Sequence, residues 1–147
     1  MKNYLKLKTK IKKNEGFRDG AYLDILGFLT IGYGHLIKKH DNFLLKKKYT
    51  KFFLLKVFND DFKKTIIDYS KNYKNDKHPK NIQEIYIEMI FQMGIKKQKK
   101  FVKMNQYIKK KQLFMASLEM KKSLWFKQTP KRVDILIKSL LKNLYER

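Results

Sequence analysis

The chain has 147 residues, 43% of them hydrophobic and 14% aromatic, enough apolar content for one domain with a core and too much for a disordered chain. It has no cysteine, which excludes disulfides, thiol catalysis and cysteine-bound zinc. The formal net charge of +23 rests almost wholly on lysine. Coding bias of an AT-rich genome accounts for most of it, and it draws the protein towards polyanions in a salt-dependent way.

Residues 2–13 place Tyr4, Leu5, Leu7 and Ile11 near helical spacing among lysines, the pattern of an amphipathic helix. This basic stretch lacks the apolar run of roughly seven to fifteen residues that a signal peptide needs. No segment reaches the roughly 18 consecutive apolar residues of a membrane span. The expectation is a soluble protein made in the cytoplasm, which another protein must release if its substrate lies outside. Glu15 comes at or just past the end of this helix, where the helix dipole disfavours a charged carboxylate. Taken alone it would be a solvated surface acid.

Glycines at 16, 20, 27, 32 and 34 rule out a long helix in the next stretch. Residues 21–23 and 28–31 read as short strands joined by a turn near Leu26 and Gly27. Asp24 then ends the first strand, Thr30 lies within the second, and the hairpin brings them close. Two acids, Glu15 and Asp24, near such a turn are the minimum equipment for splitting a glycosidic bond: one protonates the departing oxygen and the other acts on the opposite face of the sugar. Gly32-Tyr33-Gly34 lacks the third glycine and long helix of a dinucleotide loop. His35, His40 and His78 do not make a metal site, and Asn59-Asp60-Asp61 offers too few oxygens for calcium, so no metal and no cofactor are expected. His35 reads as a hydrogen-bonded structural histidine, with Asp61 as its partner or in another ion pair.

Residues 37–49 form a basic connector. Thr50 is a suitable N-cap for a helix running to about residue 69, apolar on more than one side, as suits a helix linking two lobes. Residues 71–80 read as a polar loop ending in Pro79. From Ile82 to Met93 the chain is nearly all apolar, which belongs in the middle of a helical bundle, and Gly94 ends the helix. Three further helices are predicted near 99–109, 111–124 and 131–145, with Pro130 at the favoured start of the last. There is no internal repeat.

Four blocks in order resemble phage-type lysozymes. They are Asn14 to Leu36, with Glu-Gly-x-Arg, Tyr-x-Asp and Thr-Ile-Gly-x-Gly-His; Tyr49-Thr50-Lys51 with Phe58-Asn59 and Asp61; Phe91-Gln92-Met93-Gly94; and Trp125-Phe126-Lys127-Gln128-Thr129-Pro130-x-Arg132. The resemblance covers about residues 11–140. It implies a mostly helical α+β fold, lysozyme-like, in a single domain spanning 1–147. The small β-hairpin lobe would take about 15–50 and the inter-lobe helix about 50–69. The helical lobe would take about 70–147 together with the N-terminal helix 2–13. The chain is shorter than typical members, mainly in the connector at 37–49.

The resemblance makes Glu15 the general acid, Asp24 its catalytic partner and Thr30 the residue positioning the attacking water. It places Leu36 and Phe91 on the saccharide cleft, and gives Gln92, Trp125, Gln128 and Arg132 structural roles. Met104 and Glu119 depart from small polar sugar contacts, and Leu26 and Leu124 from a charged pair at the cleft mouth. The implied function is an endolysin-type, bacteriolytic muramidase that cuts the β-1,4 bond between N-acetylmuramic acid and N-acetylglucosamine in peptidoglycan, with inversion. It would work as a monomer on glycan strands, with anionic envelope polymers attracted by charge and no specific nucleic acid. The alternative is an inactive cationic lysozyme-like protein that binds polyanions such as nucleic acid or teichoic acid, or disrupts anionic membranes through basic helices at 2–13 and 99–111.

Overall fold

A computed structural model describes residues 4–145, so residues 2 and 3 of the predicted N-terminal helix lie outside the described residues. In chain order the elements are α1 (Leu5–Glu15), β1 (Arg18–Leu23), β2 (Leu29–Gly32), β3 (His35–Leu36), α2 (Lys51–Tyr73), α3 (Lys80–Met93), α4 (Ile95–Lys99), α5 (Val102–Lys109), α6 (Leu113–Lys122), α7 (Leu124–Gln128) and α8 (Pro130–Tyr145). The fold is α+β and mostly helical, with one antiparallel sheet in the order β1-β2-β3. Two compact units, Met1–Lys64 and Thr65–Arg147, divide inside α2. The first unit contains α1 as well as the sheet.

In the first unit, Leu7 and Ile11 are four residues apart and form the buried stripe of α1 between exposed lysines. The edge of Tyr4 meets Phe62 at 5.9 Å, Phe58 stacks on Phe62 at 6.2 Å, and Tyr33 meets Phe58 at 5.6 Å. The Lys8 and Lys12 ammonium groups stand over the Phe62 and Phe58 rings, at 5.2 and 5.8 Å. A helix this basic thus places two of its charges on aromatic faces. Thr50 caps α2 as its chemistry predicts, its hydroxyl accepting the Phe53 N–H at 3.1 Å.

The hairpin pairs Tyr22 with Thr30 and Leu23 with Leu29, with a bulge between Arg18 and Tyr22. A third strand joins it, pairing Leu36 with Thr30 and His35 with Ile31. Thr30 is therefore buried in the central strand, flanked by Tyr22 and Leu36.

The second unit is built on α3, whose Ile82, Ile85, Tyr86, Ile87, Met89 and Ile90 are all buried. It packs against α8, which supplies Val133, Leu136 and Leu140, and α8 packs against α6, which supplies Ala116 and Met120. Gly94 stops α3 with a φ of +83°, and its N–H returns to the Ile90 carbonyl at 2.8 Å. A polar network runs through this core. Tyr73 Oη–H donates to Gln98 Oε1, Gln98 Nε2 donates to Asn105 Oδ1 at 3.0 Å, and the Tyr86 hydroxyl donates to the same oxygen at 2.8 Å. Beside it His78, with Nε2 3.7 Å from Asp76 Oδ2, shares a 3.1 Å hydrogen bond with the Tyr69 hydroxyl through Nδ1. Burial lowers the His78 pKa below 6.5, and the charge of Asp76 opposes this only in part.

Some predicted boundaries move. Helix α2 runs on to Tyr73 and a short 3₁₀ turn follows at Lys74–Asp76, where a polar loop was expected. The helix predicted near 99–109 is α5, preceded by a short α4 that ends at Lys99, and α7 separates α6 from α8. Among the described residues, no helix is long and apolar enough to cross a membrane.

Candidate active site

Glu15 is the last residue of α1, and Gly16 closes the helix with its N–H on the Lys12 carbonyl at 3.0 Å. The carboxyl group lies against the backbone of Gly34, in the turn between β2 and β3. A Cβ at position 34 would come within 2.6 Å of Glu15 Oε2, and Gly34 has a φ of +77°. Glycine is needed there twice over, for the left-handed backbone and for the space the acid occupies.

Asp24 follows β1 and shapes the hairpin turn. Its Oδ1 accepts two backbone N–H groups, from Leu26 and from Phe28, each at 2.9 Å. The same turn is closed by Asp24 N–H to the Phe28 carbonyl and Gly27 N–H to the Asp24 carbonyl. Thr30 donates its hydroxyl proton to the Phe28 carbonyl at 3.0 Å. The side chains of Asp24 and Thr30 are thus tied to opposite ends of one residue, Phe28. Among the described residues no donor is directed at Asp24 Oδ2, and the Thr30 oxygen keeps lone pairs to accept from a water.

Tyr22 joins the two acids. Burial, first, and then the charge of Glu15 raise its phenol above the ordinary 10.0, against Arg18 and with a further contribution from Asp24. The ring carries the Arg18 guanidinium on its face at 4.6 Å. Tyr22 thus feels the charge of both acids and pairs with Thr30 across the hairpin. The sequence shows Tyr22 only as part of a motif; its pairing opposite Thr30 on β2 is the signal that puts it here.

His35 bridges two carboxylates. Nδ1–H donates to Asp61 Oδ2 at 2.7 Å and Nε2–H donates to Asp41 Oδ2 at 3.0 Å. The hydrogen bond to Asp61 is the main reason its pKa lies above 6.5; burial opposes, while the charge of Asp61 and the contact with Asp41 add to it. Burial also resists ionisation of Asp41, yet the Lys38 N–H and His35 hold that carboxyl below 3.8. Asp41 is absent from the residues that sequence alone singles out. Among the described residues, no group of three acidic, histidine or cysteine side chains could hold a metal ion.

A family profile described as phage lysozyme matches residues 12–139, most of the chain. This chain belongs to the phage lysozyme family. Two proteins of Dictyostelium discoideum are similar to it over 89% of its length and 91% of theirs. They are "Probable T4-type lysozyme 2", 28% identical, and "Probable T4-type lysozyme 1", 29% identical. The phage lysozyme family supports a lysozyme-type peptidoglycan hydrolase in general terms.

Within the phage lysozyme framework, the remaining sequence-derived positions separate by unit. Leu36 is exposed on β3 beside Thr30 and, like Glu15, Asp24, Thr30, His35 and Asp61, lies in the first unit. Phe91, Gln92, Trp125, Gln128 and Arg132 lie in the second. Phe91 is partly buried near the end of α3. Trp125 Nε1 donates to Gln92 Oε1 at 2.8 Å, and Gln92 Nε2 donates to Thr129 Oγ1 at 3.3 Å, joining α3 to α7. Gln128 is exposed at the end of α7 and makes no side-chain hydrogen bond among the described residues. Arg132 Nε donates to Glu88 Oε1 at 3.0 Å, and Glu88 is fully buried in the run that reads as nearly all apolar. Met104 and Glu119 line a cavity of about 470 Å³ rimmed by Lys100, Lys103 and Lys122, with Glu119 paired to Lys122 at 3.2 Å. Leu26 and Leu124 are both exposed.

Proposed function

We propose that this chain hydrolyses the β-1,4 bond between N-acetylmuramic acid and N-acetylglucosamine in peptidoglycan. Glu15 gives its proton to the bridging oxygen as that bond breaks. A water accepted by the Thr30 oxygen attacks the anomeric carbon from the opposite face and passes its proton to Asp24 Oδ2. The ionised Asp24 stabilises the oxocarbenium-like transition state until that transfer. Solvent then returns the proton to Glu15. Such a one-step displacement inverts the anomeric centre.

The observation that carries this reading is the Asp24–Phe28–Thr30 arrangement. One carboxylate oxygen is fixed by two backbone N–H groups, the other has no donor directed at it among the described residues, and the Thr30 hydroxyl has its own proton committed to the Phe28 carbonyl. That arrangement supports a water oriented by its two hydrogens, with a lone pair left to attack.

The test is loss of turbidity of purified peptidoglycan, with analysis of the new reducing ends. Wild-type protein should release muramic acid ends, formed first as the inverted anomer. Glu15→Gln should fall at least about 10³-fold, within the range for losing a general acid, with an unchanged melting temperature. Retained lysis by the purified variant removes Glu15 from its role. Gel-shift binding of DNA with no lysis by the wild type would point instead to a cationic binding protein.

A further inference from the structure

The hairpin turn next to this site is unusually greasy. Leu23, Ile25, Leu26 and Phe28 are 66%, 95%, 55% and 51% exposed. A turn needs glycine and polar residues at such positions, and Gly27 and Asp24 already serve it. The four apolar side chains contribute little to the fold from there, because burial is what makes an apolar group stabilising. Several exposed apolar side chains gathered in one turn point to an interaction surface.

A second turn lies beside it. The sheet register continues past β3, with Ile37 N–H on the Leu29 carbonyl at 2.9 Å, so that Lys38 follows on opposite Phe28. The chain then turns at residues 38–41. Asp41 N–H bonds the Lys38 carbonyl at 2.9 Å, and Lys38 N–H bonds Asp41 Oδ2 at 2.8 Å. This turn presents Lys38, Lys39 and His40 to solvent. The acids of the two turns are engaged locally, Asp24 by backbone N–H groups and Asp41 by His35 and Lys38. One end of the sheet thus carries an apolar turn and a basic turn side by side.

We propose that these two turns form a docking site for an anionic lipid surface, with Ile25 and Leu26 entering the interfacial region and Lys38 and Lys39 meeting the headgroups. Apolar insertion together with juxtaposed lysines is the combination that binds anionic bilayers. A soluble polyanion would use the lysines and leave the four apolar side chains idle. A second copy would bring a net charge of +23 against another +23, which opposes self-association. The site differs from the basic helices as a source of membrane affinity, and it does not depend on the hydrolytic reading.

The experiment is co-sedimentation of the full chain with vesicles of phosphatidylglycerol and phosphatidylcholine in equal parts, against phosphatidylcholine alone. Binding should require the anionic lipid and weaken with salt. Ile25→Ser should weaken it about tenfold or more, and Lys39→Ser about fivefold, while hydrolysis of soluble wall fragments by Ile25→Ser stays at the wild-type rate. Because the chain has no cysteine, Ile25→Cys can carry a single environment-sensitive fluorophore. Its emission should shift to the blue on anionic vesicles and stay unchanged with soluble polyphosphate. Unaltered vesicle binding by Ile25→Ser, or no blue shift on bound vesicles, overturns the proposal. A concentration-dependent dimer abolished by Ile25→Ser overturns it too, by giving the patch to a second copy.

Discussion

The two compact units handle their polar groups in opposite ways. In the second, Tyr73, Gln98, Asn105 and Tyr86 satisfy one another inside the core, and Glu88 is held by Arg132. In the first, polar side chains are anchored on one side and left with capacity on the other: Asp24 through Oδ1 and Thr30 through its proton. The histidines of the two units differ in another respect. His35 lies between two carboxylates and gains affinity for a proton, whereas His78 lies among tyrosine rings and loses it. A closed network supports folding, and a half-open one offers chemistry. Substitutions at Glu15, Asp24 and Thr30 should therefore show mainly in rate, and those in the polar core of the second unit mainly in stability.

The largest expected effect is that of Glu15→Gln on wall hydrolysis, with the melting temperature held. Its counterpart in the second unit is Arg132→Met, which takes the guanidinium away from the buried Glu88. Breaking such a pair costs about 3–5 kcal/mol, to be read from denaturant unfolding. Gly34→Ala tests the border between the two behaviours. The left-handed backbone costs about 1–2 kcal/mol, and a methyl 2.6 Å from Glu15 Oε2 must displace the acid. An ångström of misplacement is worth roughly 100-fold in rate, so kcat should fall far more than stability does. A comparable drop in both would show that Gly34 serves the fold alone.

The smallest effects are in pH dependence, and their signs are opposite. His35 has a raised pKa, so its stabilisation is complete below about 6.5 and is lost as pH rises through the folded value. His78 has a lowered one, so its stabilisation is present above 6.5 and is lost as pH falls towards the folded value. Denaturation measured between about pH 5 and 9 should show His35→Asn flattening the alkaline decline and His78→Gln flattening the acid one. The same slope changed by both variants would dissolve the distinction between the units.

How much of this could be read from residues alone depends on how local the cause is. The hairpin is legible because Gly27 marks its turn and short apolar runs flank it; Thr50 and Pro130 announce their helices by the chemistry of capping and first turns. Strand β3 has two residues, too few for any alternation, and α4 and α7 have five each, too few for a helical period. The bond from His35 to Asp61 can be anticipated from a motif, but Asp41 reaches the same ring through the fold of an irregular connector. Glu88 is hidden in a greasy run because its partner comes 44 positions later. Sequence gives no sign that the turn at residues 24–28 keeps its apolar side chains in solvent, since the same letters would serve a buried hairpin equally well.

Asp24 has one further consequence, for inheritance. Because this carboxylate also writes the shape of its own turn, a lineage that abandoned wall digestion would still be pressed to retain an aspartate there, or an asparagine that caps the same two amides. Its survival in a descendant is weak testimony to enzymatic selection, and the fate of Glu15 at the end of α1, the proposed acid, is the more telling witness.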